Sequence, residues 1–118
     1  TVVTWFASSM SGSDAVTVGR TVASTLATSP GDGVERITDE AARRGFDPVV
    51  EDRGDGRIDV VLRACPFADA AALSPAVMCG LHRGVMEGIA AESGDVVVDR
   101  LAVNDPHEAG CRLTLRRV

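Results

Sequence analysis

The spacing of apolar residues first changes period at Gly45-Phe46, and that change fixes much of what this chain can fold into. Before it, Ala15, Val18, Val22, Ala23 and Leu26 recur near the 3.6-residue period of an amphipathic helix, and Val34, Ile37 and Ala41 do so again. After it, Pro48-Val49-Val50-Glu51 reads as a strand, and Ile58, Val60, Leu62 and Ala64 alternate along a second. Local signals agree. Ser13 is the expected N-cap of the first of these helices, with Asp14 favoured in its first turn by the macrodipole. That helix should stop before Pro30, and Pro30-Gly31-Asp32-Gly33 should form a loop. On the next helix Glu35, Arg36, Asp39, Glu40 and Arg43 are expected to face water. Gly45 supplies a left-handed residue at its end, with Phe46 folding back on the last turn.

The second half extends the pattern. Arg53-Gly54-Asp55-Gly56 predicts a hairpin loop, and Pro66 ends the second strand. Ser74-Pro75 gives an N-cap and a first-turn proline for the longest helix, over residues 75–91. Strands follow over 96–103 and 111–118, joined through a turn at Asn104-Asp105-Pro106, with Cys111, Leu113 and Leu115 on one face. At the start, Val2, Val3, Trp5, Phe6 and Met10 have the spacing of a short helix. The order α-α-α-β-β-α-β-β predicts one α+β domain over 1–118, an antiparallel four-stranded sheet with helices packed mainly on one face.

Composition excludes several functions. The chain is 45% apolar but only 3% aromatic, so it lacks a stacking platform for bases. A net charge of −5 argues against direct binding to phosphates. No stretch approaches about 18 consecutive apolar residues, the length of a membrane span. The opening Thr1-Val2-Val3-Thr4-Trp5-Phe6 has neither an initiator Met nor a signal-peptide pattern, and reads as part of a longer chain. An odd number of cysteines, three, suits a reducing cytoplasm better than a disulfide framework.

Those three cysteines carry the chemistry. Cys79 and His82, three residues apart on the long helix, project from neighbouring positions. Cys65 follows a strand end and Cys111 begins the last strand on its core-facing side. If the sheet packs on this helix, the four converge, and three thiols with one imidazole suit zinc or an iron–sulfur cluster. Against this, Cys65 and Cys79 are fourteen positions apart, far wider than a paired zinc motif. The other reading is a set of buried, unliganded thiols lining a core or a pocket for a small apolar effector. His107, within a turn, is expected to be solvated.

The helix also carries Gly80, Gly84 and Gly88 at four-residue steps. Each costs about 1 kcal/mol relative to Ala in a helix interior, so the stripe implies close approach by a neighbour. The sheet, a symmetry mate at a homodimer interface, or a ligand are the candidates. Met78 and Met86 flank this surface and, with Phe67, would suit an adaptable apolar pocket. Catalysis is not expected. A mid-helix Cys79 lacks the helix N-terminal dipole, and no third group orients His82.

Several segments together carry a resemblance: Gly19-Arg20, Gly45-Phe46-Asp47-Pro48, Leu62-Arg63-Ala64-Cys65-Pro66-Phe67, the run from Val77 to Gly84, and Gly110-Cys111-Arg112-Leu113. From residue 13 onward the chain resembles the C-terminal sensor part of bacterial helix-turn-helix transcriptional regulators of the ArsR-like group. The resemblance implies a winged helix-turn-helix ahead of this segment, so that DNA is met only through a domain missing here. The same broad group includes the repressor of iron–sulfur-cluster assembly operons, a likeness that implies Cys65, Cys79 and Cys111 as ligands. This chain has no cysteine shortly before Cys65, where that pattern has one. A remoter similarity, to vinyl-reductase-like sensor domains, implies an apolar pocket instead. The expectation is an effector-sensing, homodimeric domain of a regulator; the alternative is a dimerisation module without a ligand.

Overall fold

A computed structural model describes residues 11–26 and 30–118; the helix expected within residues 1–10 lies outside them. The elements are α1 (Gly12–Ala23), α2 (Gly33–Arg44), β1 (Pro48–Gly54), β2 (Arg57–Leu62), α3 (Ala68–Leu73), α4 (Pro75–Ser93), β3 (Val96–Ala102) and β4 (Cys111–Arg117). The strands form one antiparallel sheet in the order β1-β2-β4-β3. This is the α+β class that the period change predicts. The added element is α3, six residues long and too short to display a helical period in the sequence.

Helix ends follow the cap chemistry with small shifts. Ser11, not Ser13, caps α1, its Oγ accepting from the Asp14 N–H at 3.2 Å. Asp32 caps α2 from within the expected loop, accepting from the Glu35 N–H at 2.9 Å. Gly45 closes α2 at φ +93°, and the Phe46 N–H returns to the Ala41 carbonyl at 3.0 Å, the wrap its position predicts. At Ser74 no side-chain cap forms, and α4 runs on to Ser93.

The core lies on one face of the sheet. Ile58, Val60 and Leu62 of β2 and Leu113 and Leu115 of β4 are buried there beneath Ile37 of α2 and Met86 and Ile89 of α4. On the opposite face Asp59 is only 5% exposed, held by Arg112 at 2.9 Å and by the Thr114 hydroxyl at 2.9 Å. Burial would raise its carboxyl pKa, but those bonds and the Arg53 and Arg112 charges outweigh burial and lower it.

The glycine stripe of α4 is covered by α1, a neighbour outside the three candidates considered from sequence. A Cβ on Gly84 would overlap the Val16 carbonyl and come within 2.9 Å of the Gly19 Cα. On Gly80 it would meet the Gly12 carbonyl oxygen at 2.9 Å. On Gly88 it would press the Ala23 methyl group at 2.5 Å. The two helices therefore approach backbone to backbone, which only glycine at these positions permits. An ion pair from Arg20 to Glu87, at 2.9 Å, fastens the outer edge of this contact.

Gly84→Ala should accordingly lower stability by about 1–3 kcal/mol in urea unfolding, through overpacking. Alanine's intrinsic helical advantage of about 1 kcal/mol works the other way. A variant more stable than the parent would show that α1 does not lie on this stripe.

Candidate functional site

Beneath α4, on the side away from its glycines, an apolar cavity of about 620 Å³ opens at one end of the sheet. Its size falls in the range of small-molecule sites. Helix α4 supplies Met78, Cys79, Leu81, His82, Val85 and Met86 to the wall. The strand ends contribute Leu62, Cys65, Leu101 and Cys111, and the short α3 with its lead-in contributes Phe67 and Ala71. Val22 of α1 and Leu26 beyond it complete one side, and Glu40, Arg44 and Phe46 at the end of α2 complete another.

All four residues singled out as a metal set, Cys65, Cys79, His82 and Cys111, thus border one space. The three thiols are free. Their placement around a cavity is not a coordination sphere: among the described residues, no group of three His, Cys, Asp or Glu side chains is arranged to hold a metal ion. Cys111 is engaged locally, its Sγ accepting from the Asn104 N–H at 3.3 Å. Of the pocket or interface set, Phe67, Met78 and Met86 border the cavity, whereas Gly80, Gly84 and Gly88 lie under α1.

Two groups in the wall are shifted by their surroundings. Burial pushes the Cys79 thiol up to about 11, and negative charge on Cys111 and Cys65 would push the same way. Cys79 is therefore a thiol at neutral pH, poorly suited to nucleophilic attack. Burial also depresses His82, to about 4, despite the favourable charge of Glu40, so its ring is neutral at pH 7. That ring stacks on Phe46, centroids 4.1 Å apart and planes within 8°. Its Nε2 is closed off from water and has no hydrogen-bond partner among the described residues.

The acidic member of the wall was not visible in the sequence as such. Glu40, expected to face water, is only 2% exposed. Its carboxylate is bonded by Arg43 Nη2 at 2.7 Å and Arg44 Nε at 2.6 Å, one helical turn further on. The 40/43/44 spacing is the signal that could have revealed it, since paired arginines let a carboxylate turn inward. His107 is exposed as expected but not unpartnered. Its Nε2 lies 2.9 Å from the Asp69 carboxylate, joining α3 to the β3–β4 loop, and that bond raises its pKa.

Comparison with known proteins returns no matching family model, no similar curated protein and no similar solved structure. No helix among the described residues is long and apolar enough to cross a membrane.

Protonation of His82 is coupled to folding. The unfolded chain takes up this proton near pH 6.5 and the folded chain only near 4, so the stability it contributes is complete above 6.5. It is lost as pH falls through that window, by roughly 3 kcal/mol in total. Between pH 7.5 and 4.5, urea unfolding should show the parent losing more stability than His82→Phe. Equal losses would mean that the imidazole is not buried in its neutral form.

Proposed function

We propose that this chain is the effector-sensing domain of a cytoplasmic bacterial transcriptional regulator, and that the effector is a small apolar molecule received in the cavity beneath α4. The observation that carries this reading is the cavity itself: about 620 Å³ of space walled mainly by apolar side chains from α1, α3, α4, Phe46 and the sheet end. A domain of this size packs its interior closely, and empty apolar space of that extent is what a ligand site requires. The resemblance to ArsR-like regulators supplies the rest. Occupancy would favour one packing of α1, α3 and α4 around the ligand, and so bias the placement of attached DNA-binding domains in a homodimer. Zinc or an iron–sulfur cluster has less support, because the thiols and His82 surround a space without converging on one point. A ligand-free dimerisation module would have used the glycine stripe, which α1 covers.

The uncharged fluorophore N-phenyl-1-naphthylamine should brighten on the wild-type protein with a saturable, one-site isotherm. Val85→Trp, which fills the cavity from α4, should weaken that binding by at least about ten-fold, or 1.4 kcal/mol. Binding that is absent, or indifferent to this substitution, would remove the ligand reading.

A further inference from the structure

We infer that the effector of this cavity is uncharged overall and carries a hydroxyl or carbonyl group that hydrogen-bonds to His82 Nε2. This rests on the cavity being a ligand site, as proposed above, and specifies what enters it. Buried nitrogen and oxygen atoms almost always have a partner, and one left without bears the full cost of its lost hydration. His82 Nε2 is such an atom: no group among the described residues bonds to it, and water does not reach it. The ring is fixed by its stack on Phe46, so the imidazole cannot simply swing out to solvent. His82 is itself part of the cavity wall, so an occupant that displaces the side chains now covering Nε2 is the available source of a partner.

Charge narrows the class further. Among the described residues the charged side chains in the wall are Glu40 and Arg44, and they are already joined to each other. An anionic ligand would meet the Glu40 carboxylate, a cationic one the Arg44 guanidinium, and neither would find a free counter-charge. The remaining polar lining is the three thiols, weak hydrogen-bonding groups that suit a largely apolar body. A neutral imidazole can donate or accept at Nε2 according to its tautomer. A hydroxyl can serve either form; a carbonyl serves the one in which Nε2 carries the proton.

The test compares 2-naphthol with 2-methylnaphthalene, which differ by hydroxyl against methyl in nearly the same volume, on wild type and His82→Phe. The ratio of their affinities should shift toward the methyl compound by on the order of ten-fold in the variant. As a second readout that needs no substitution, the His82 Nε2 resonance of ¹⁵N-histidine-labelled wild type should move with 2-naphthol and not with 2-methylnaphthalene. Anionic 2-naphthoate should bind more weakly than either. An unchanged ratio, a silent Nε2, or preferred binding of the naphthoate would overturn this inference while leaving the cavity as a ligand site. Failure of both neutral probes to bind the wild-type protein would overturn the ligand reading as well.

Discussion

The backbone-to-backbone contact of α1 with α4 organises this domain. Because Gly84 and Gly19 meet without side chains between them, α1 lies flush against one side of α4. That leaves the other side of the same helix to serve the sheet and the cavity. Met86 and Ile89 go to the core, and Cys79, His82 and Val85 reach the cavity wall directly or in part. The glycines are costly for helix formation and are offset by a contact that no larger residue would allow. The same contact brings Val22 and Leu26 to the cavity rim, so closure of the site on that side depends on α1 staying in place.

The cavity is chemically quiet in a particular way. Its thiols are protonated at Cys79, its histidine is neutral, and its one carboxylate is matched by arginines from its own helix. Such a wall neither activates a nucleophile nor presents a net charge. A ligand received there, as proposed, would be recognised by shape, by apolar contact and by a small number of hydrogen bonds, as is common in small-molecule sites. On the outer face of the sheet the polar groups are differently disposed. There Asp59 gathers Arg53, Arg112 and Thr114 into a network that lines a polar depression of about 590 Å³, walled by charged side chains rather than apolar ones.

Much of this was legible in the chain. The period change at Gly45-Phe46, the hairpin glycines and the Ser74-Pro75 start placed seven of the elements in their order, and the strand-face assignment of Ile58, Val60, Leu62, Leu113 and Leu115 matches the buried core. Cys65, Cys79, His82 and Cys111 do share one locale. What the sequence concealed depends on tertiary geometry. Spacing brings residues to a face, but it does not say whether four donors meet at a point or stand around a void. The glycine stripe announced a close neighbour without naming it, because α1 carries its own small residues, Gly12, Ala15 and Gly19, at positions that read equally well as an ordinary amphipathic helix. Glu40 appeared as surface because a carboxylate is normally exposed, and only the two arginines a turn away make its burial tolerable.

An apolar space of about 620 Å³ lies between α4, α3 and the sheet end. Xenon binds such spaces through dispersion alone, without needing any polar complement. A crystal of this protein held under xenon pressure should show ordered xenon beside Phe46, Met86 and Leu101. A structure with no xenon there, and with those side chains in mutual contact, would contradict it.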